Sequence, residues 1–142
     1  MEEMRFSVKI KARKEKVWAV LWQDETLRDW AGVIDPGTYM VGEIKEGGVV
    51  QFNSSEGYGV ASLVFRMIEN EFILLRHMAD TKNGGCENRE KQWSGGRESY
   101  RLTEKNNMTT LEIVIDVPKE LKKIMENRYP KALARIKELS EN

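Results

Sequence analysis

The most regular pattern of apolar and polar positions lies near the C-terminus, over Lys119–Leu139. Apolar residues recur there three or four positions apart, which predicts one buried face of an α-helix. At about 1.5 Å per residue this helix is roughly 30 Å long, the width of a small domain. Asp116 and Pro118 are expected start signals, and Pro130 inside the helix predicts a kink. The stripe consists of Leu121, Ile124, Met125, Arg128, Tyr129, Ala132, Leu133, Ile136 and Leu139.

In the N-terminal part of the chain the apolar positions recur with a different periodicity. Arg5–Ile10 alternates apolar and polar residues, which predicts a half-buried strand. Two short helices follow, one over Lys14–Trp22 and one from Glu25 to about Ala31. Asp24 is a suitable N-cap for the second helix, and Gly32 is a suitable stop signal.

From Thr38 to Ala79 the chain consists of β-forming runs separated by short turns rich in Gly, Asn and Ser, and a last hairpin follows the polar segment Thr81–Arg97. Such short connections cannot carry parallel crossovers, so the strands are predicted to be antiparallel. One face of this sheet must be covered, and the C-terminal helix is the only predicted element large enough. Periodicity leaves open whether the space between them is filled core or a pocket. The predicted strands are Thr38–Glu43, Val49–Asn53, Tyr58–Ile68, Phe72–Ala79, Glu98–Thr103 and Met108–Val117.

The length of 142 residues, with 40% hydrophobic and 32% charged positions, predicts a single globular domain spanning residues 1–142. Lys plus Arg equals Asp plus Glu, at 23 each. Because the net charge is zero, general electrostatic attraction to nucleic acid or to an anionic membrane is not expected. We therefore predict no nucleic-acid partner.

The length of the apolar runs, the N-terminal residues and the cysteine count predict the cellular compartment. No apolar run approaches the ~20 residues of a membrane span, so membrane insertion is not expected. The first five residues include two acidic positions and lack the basic head and apolar block of a signal peptide. Cys86 is the only cysteine, so no internal disulfide can form. These features favour the reducing cytoplasm.

Four short strings, spread over nearly the whole chain, carry a resemblance to known proteins. They are Val17-Trp18 with Leu27 and Trp30, Arg76-His77, Trp93-Ser94-Gly95 with Glu98-Ser99-Tyr100-Arg101-Leu102, and Thr109-Thr110-Leu111 with Tyr129-Pro130-Lys131-Ala132-Leu133. In this order they resemble the START-like superfamily (SRPBCC, birch-pollen-allergen-like), most nearly the family of heat-shock-protein ATPase activator homologues. Tyr129 stands where that family usually has Trp.

The resemblance implies an α+β helix-grip fold. In this fold a curved antiparallel sheet of six to seven strands wraps a long C-terminal helix, with two short helices after the first strand near the pocket mouth. Proteins of the superfamily bind lipids and other hydrophobic molecules, some are cyclases or hydrolases, and the namesake branch stimulates a chaperone. Our leading hypothesis is non-enzymatic binding of a hydrophobic small molecule or lipid between sheet and helix, by a monomer or homodimer. The alternatives are a chaperone-linked interaction module and an enzyme of the cyclase or hydrolase kind.

Large apolar side chains with a few polar groups are typical of ligand pockets, and they define the candidate site. His77, the only histidine, and Glu98 are predicted to meet if their strands are neighbours, and an imidazole–carboxylate pair can act as acid and base. The alternative is a buried histidine with a structural partner. Arg128 either pairs with a ligand carboxylate, or packs its aliphatic part and extends its guanidinium group to solvent or to an acidic residue in a loop. The candidate ligand-binding residues are Trp30, His77, Trp93, Tyr100, Met125, Arg128 and Tyr129.

Neither a metal nor a cofactor is expected. With one cysteine and one histidine far apart in sequence, the chain supports neither a zinc site nor a Cys–His nucleophile. The glycine pairs at 84–85 and 95–96 lack the spacing of a phosphate-binding loop.

Overall fold

Three α-helices and eight β-strands lie within residues 1–83, 85–86 and 93–142, which are the residues that this computed structural model describes. The elements are β1 (Glu2–Ile10), α1 (Lys14–Trp22), α2 (Asp24–Ile34), β2 (Tyr39–Val41), β3 (Val49–Asn53), β4 (Tyr58–Ile68), β5 (Phe72–Lys82), β6 (Gly85–Cys86), β7 (Arg97–Lys105), β8 (Met108–Val117), a 3₁₀ turn (Lys119–Leu121) and α3 (Lys122–Glu141).

The strands form one antiparallel sheet in the order β1-β8-β7-β5-β4-β3-β2, and the two-residue β6 pairs with β5 beside this path. The sheet is curved, with the long helix α3 packed against β1 and against both short helices. The predicted α+β helix-grip fold, with seven main strands and two short helices after the first strand, is therefore confirmed.

The core lies on the inner face of the sheet. In β8, alternate residues Leu111, Ile113, Ile115 and Val117 are each at most 1% exposed, and their neighbours Glu112 and Asp116 are not buried. This is the alternation expected of a strand with one face on a core. Along α3, Met125, Tyr129, Leu133 and Ile136 of the predicted stripe are buried against that face, whereas Ile124 was wrong as a member because it is 41% exposed. The pattern of the sequence thus fixes which faces meet.

The second helix differs from its prediction at both ends. Gln23, in an extended conformation, is the N-cap of α2, and Asp24 is the first helical residue. Asp24 was wrong as a cap, although its carboxylate favours the positive end of the helix dipole. Gly32 is not a stop, because Val33 and Ile34 continue the helix and pack against the core. These extra residues bring the end of α2 to the cavity described below.

The strand predicted over Thr38–Glu43 is shorter than expected. Gly42 adopts φ +108°, a conformation that ends extended pairing, and a side chain there would lie 2.9 Å from the Val49 carbonyl oxygen. The pairing of β2 with β3 consequently stops at Val41 opposite Gln51.

The C-terminal helix starts after a single 3₁₀ turn that follows Pro118. Asp116 is not part of this start, because it remains in β8 and accepts a hydrogen bond of 2.9 Å from the Arg97 amide. The helix runs without a break through Pro130 and ends at Glu141, two residues beyond its predicted end. Among the described residues, no helix combines the length and apolarity needed to cross a membrane.

Replacing Pro130 tests how much strain α3 carries. Pro130 is exposed, and a proline inside a helix removes one backbone hydrogen bond and crowds the preceding turn. We expect Pro130→Ala to raise the free energy of unfolding by roughly 1–3 kcal/mol, measured by urea denaturation. The exposed neighbour gives a control, since Lys131→Ala should change it by less than about 0.5 kcal/mol. Lower stability of Pro130→Ala would instead mean that the sheet requires a bend at this position.

Candidate ligand-binding cavity

A mainly apolar cavity of about 140 Å³ lies between α2, α3 and the inner face of the sheet. We call it the inner cavity. Its apolar and aromatic wall is built by α2, by strands β3, β4, β7 and β8, by α3 and by one residue after β6; the members are Leu27, Trp30, Ala31, Ile34, Phe52, Val60, Trp93, Tyr100, Ile115 and Tyr129. Four polar side chains also line it, namely Asp35, Thr38, His77 and Glu98.

A second space of about 330 Å³, which we call the outer cleft, adjoins the inner cavity. The two spaces share six lining residues: Ile34, Asp35, Thr38, Phe52, Val60 and Trp93. Met125 and Arg128 of α3 line the outer cleft but not the inner cavity. A molecule larger than the inner cavity can therefore continue into the outer cleft along a common wall.

Trp30 and Tyr100 form one side of the inner cavity, and their positions are fixed by the core around them. The Trp30 indole Nε1 donates to the carbonyl oxygens of Val20 and Leu21, at 3.2 and 3.3 Å, which joins α2 to α1. The Trp30 ring meets the Tyr100 ring edge-on, with 6.3 Å between the centroids. Trp22 packs edge-on against the same tyrosine at 5.0 Å. These aromatic contacts hold both wall residues in one orientation.

Tyr129 connects the long helix to two strands of the sheet, β1 and β7. Its ring stacks on Phe6 of β1, with the centroids 4.9 Å apart and the planes 11° from parallel. Its hydroxyl group donates to Oε1 of Glu98 on β7 at 3.2 Å. The side chain is 4% exposed, so this hydrogen bond lies away from solvent. The Glu98 carboxyl group is thereby held at the cavity wall.

The Glu98 carboxyl group has a strongly altered acidity. Burial raises its pKa from 4.5 to about 7, and the hydrogen bonds from the Tyr129 and Tyr100 hydroxyl groups oppose this rise. Burial and the nearby carboxylate raise the pKa values of both tyrosines well above the ordinary value. Both phenols consequently remain protonated, and that of Tyr129 donates to Glu98.

His77 is buried on β5 and is neutral near physiological pH. Its Nδ1 and the Ser62 hydroxyl oxygen are hydrogen-bonded at 2.7 Å. Burial lowers the pKa of the imidazole from 6.5 to about 4, although the carboxylates of Asp80 and Asp116 act in the opposite direction. The Trp93 ring packs edge-on against it at 6.2 Å, and the Trp93 amide donates to Asp80 at 3.2 Å.

The two residues proposed as an acid–base pair are neighbours on the sheet without being bonded to each other. Glu98 lies opposite Leu75 in the pairing of β7 with β5, and His77 is two residues further along the same face. This makes His77 and Glu98 diagonal neighbours, typically about 7–8 Å apart at Cα. Both line the inner cavity, and each has its own partner, Ser62 or Tyr129.

Arg128 reaches the end of α2 and the mouth of the cavity. Its Nη1 donates to the carbonyl oxygen of Ile34 at 2.6 Å, which satisfies an open acceptor at the helix C-terminus. Nearby Asp35 has its pKa raised by burial, an effect that the Arg128 guanidinium opposes and Glu56 reinforces. The charged groups of the site therefore stand at the outer cleft.

Several lining residues were not among the sequence candidates. Asp35 lies beyond the predicted end of the second helix near Ala31, and only the extension of α2 to Ile34 brings it to the cavity wall. Phe52 and Val60 are directly paired across β3 and β4, and both line the cavity. The alternation of these two strands is the signal that could have identified them as inward-facing.

Comparison with known proteins identifies the fold. No protein-family model and no curated protein sequence matches the chain. Among solved structures, an Aha1 dimer from Colwellia psychrerythraea is similar at a TM-score of 0.75 and 20% identity, covering 99% of this chain and 97% of that one. Protein MLL2253 from Mesorhizobium loti gives 0.76 and 12%, covering 97% and 96%. CalU16 from Micromonospora echinospora gives 0.66 and 14%, covering 97% and 75%. At these identities the likeness shows the helix-grip fold and nothing finer.

Glu98 and His77 should affect stability with opposite dependence on pH. Glu98, with its pKa raised from 4.5 to about 7, contributes stability at low pH that is lost as the pH rises through this range. His77, with its pKa lowered from 6.5 to about 4, contributes stability at high pH that is lost as the pH falls through its own range. Between pH 4.5 and 6.5 the two opposite changes in the free energy of unfolding with pH should largely cancel.

Urea denaturation of single variants separates the two contributions. Relative to Glu98→Gln, the wild type should lose up to about 1.4 kcal/mol of stability per pH unit as the pH rises through the Glu98 range. Relative to His77→Gln, it should gain stability as the pH rises through the His77 range. Glu112→Gln, on the exposed face of β8, is the control and should differ from wild type by a constant amount. Parallel pH profiles for wild type and Glu98→Gln would contradict a raised pKa of Glu98.

Proposed function

We propose that this protein binds a small, mostly apolar molecule in the inner cavity, with any larger part of the ligand in the outer cleft, and does not transform it. The observation that carries this proposal is the wall of the inner cavity. Of the fourteen described residues that line it, ten are apolar or aromatic, and the polar ones are few and positioned by specific contacts. Ligand pockets commonly have this composition, since apolar walls supply affinity and a few polar groups supply orientation.

The volume sets the size of the ligand. A cavity of about 150 Å³ with apolar walls is large enough to hold one benzene molecule. The inner cavity, at about 140 Å³, therefore suits one six-membered ring or a short branched chain. The outer cleft, at about 330 Å³, offers room for a further ring or part of a lipid chain. Trp30, His77, Trp93, Tyr100 and Tyr129 would contact the inner part, and Met125 and Arg128 the outer part.

The polar groups favour binding over catalysis. An acid–base pair needs direct contact between its members or with the substrate, and His77 and Glu98 are each bonded to a different hydroxyl group. The low pKa of about 4 also makes the imidazole a weak base near neutral pH. An enzyme of the cyclase or hydrolase kind is therefore the less favoured hypothesis.

A chaperone-linked interaction module is the second candidate. The observation that favours it is the likeness to an Aha1 dimer over 97% of that chain, together with the resemblance of the sequence strings to ATPase activator homologues. Exposed apolar side chains, including Phe65, Ile68 and Met78, would supply contact surface for a partner or a second copy. An ATPase assay with a cytoplasmic heat-shock chaperone tests it, and an unchanged rate at stoichiometric excess would contradict it.

Native mass spectrometry of the purified protein, compared with its denatured mass, tests the binding function. We expect an additional mass that disappears on denaturation, or else stabilisation by members of a panel of fatty acids, sterols and aromatic compounds. A ligand at 100 times its Kd should stabilise the fold by about 2.7 kcal/mol. Neither an additional mass nor stabilisation by any compound would argue against the cavity as a binding site.

A variant that fills the inner cavity tests whether the ligand binds there. Ala31 is buried on α2 and lines the inner cavity, so Ala31→Leu should occupy space needed by the ligand. We expect this variant to abolish the additional mass and to weaken the affinity for a stabilising ligand at least about tenfold. Ala134→Leu makes the same change on the exposed face of α3 and should bind as wild type does. Unchanged binding by Ala31→Leu would place the ligand elsewhere.

A further inference from the structure

One pair of polar groups stands out in the otherwise apolar inner cavity. Glu98 and His77 are 9% and 7% exposed and emerge from the same face of adjacent strands. Each is oriented by a contact that leaves hydrogen-bonding capacity unused. A carboxyl group offers about four lone-pair positions, and the Tyr129 hydroxyl group uses only one of them. The imidazole Nε2 has no hydrogen-bond partner among the described residues.

Resting on the binding function proposed above, we propose that the inner cavity takes a phenol-class ligand, a single aromatic ring whose hydroxyl group lies between the Glu98 carboxyl group and the His77 imidazole.

The donors and acceptors of this pair match a hydroxyl group. When the Ser62 hydroxyl donates to Nδ1, the neutral imidazole carries its proton on Nε2 and becomes a donor toward the cavity. Glu98 already accepts from the Tyr129 hydroxyl group and can accept from one more. A hydroxyl group donates and accepts at once, so a single oxygen atom can bond to both side chains. An ether oxygen can only accept, and a hydrocarbon can do neither.

The electrostatics of the inner cavity disfavour ligands that carry a charged group. A ligand carboxylate would lie beside Glu98, where two acidic groups in a buried space repel. A ligand ammonium would have to lose its water in a cavity whose wall is mainly apolar. A neutral hydroxyl group gives up only its hydrogen bonds to water, and the two hydrogen bonds to Glu98 and His77 replace them.

The shape of the cavity favours an aromatic ring over an aliphatic one. The volume of about 140 Å³ corresponds to one ring. Three aromatic side chains, Trp30, Tyr100 and Tyr129, surround this space in fixed orientations and can meet a planar ring edge-on or by stacking. A substituent on the ring can extend past Ile34 and Thr38, which the inner cavity shares with the outer cleft.

Three probes that differ only at one position test the assignment: 4-ethylphenol, 4-ethylanisole and ethylbenzene. Titration calorimetry near neutral pH should give a Kd for 4-ethylphenol at least about tenfold below those of the other two. In Glu98→Leu this preference should fall below about threefold, while ethylbenzene still binds. Glu112→Leu makes the same substitution on the outer face of β8 and should keep the full preference. Because the probe series is measured in wild type, the test stands even where Glu98→Leu does not fold.

The outcomes separate this inference from the function on which it rests. Equal affinity for all three probes, abolished by Ala31→Leu, would overturn the phenol assignment and retain the cavity as a binding site. A preference for 4-ethylphenol that survives Glu98→Leu would also overturn it, because the carboxyl group would then not be the acceptor. Absence of binding by every probe overturns the phenol assignment, and only together with a negative native mass spectrum does it count against the binding function itself.

Discussion

The hydrogen bond between the Tyr129 hydroxyl group and the Glu98 carboxyl group is the contact on which the cavity depends. A buried carboxyl group without a partner is costly, typically by about 1–3 kcal/mol or more. Tyr129 supplies the partner from α3, while its ring is held by stacking on Phe6 of β1. One side chain thus ties the helix to an edge strand and to the middle of the sheet. The helix is fixed at a distance that leaves space beside Glu98.

The electrostatic character of this space follows from one physical cause. Burial disfavours the charged form of any group, so it raises the pKa of Glu98 and lowers that of His77. The imidazole is consequently uncharged near neutral pH, and the Glu98 carboxyl group is only partly ionised there. Arg128 stands at the outer cleft, where its guanidinium closes the end of α2, and Asp35 lines both spaces. Polarity therefore increases from the inner cavity toward its mouth, an arrangement suited to an apolar molecule with one polar group.

The sequence predicted those features in which a local pattern and the final burial coincide. The stripe of α3 and the alternation of β7 and β8 define the core, and they also place Tyr129 and Tyr100 inside it. What could not be predicted depends on contacts distant in the chain. Nothing near Glu98 indicates that its partner is Tyr129, 31 residues away. Nothing near Gly32 indicates that burial of Val33 and Ile34 outweighs the local preference to end α2 there.

The cavity itself is the feature that periodicity could not distinguish from a filled core, because a small side chain leaves the pattern of burial unchanged. Ala31 and Val60 line a space that one larger residue would fill. The space is open toward the outer cleft, with which it shares Ile34, Thr38 and Val60. Its mainly apolar wall is therefore within reach of solvent, and a bound apolar molecule would remove this wall from water with a gain of about 25 cal/mol per Å² of buried apolar surface. That gain is an argument for a ligand that does not depend on any likeness to other proteins.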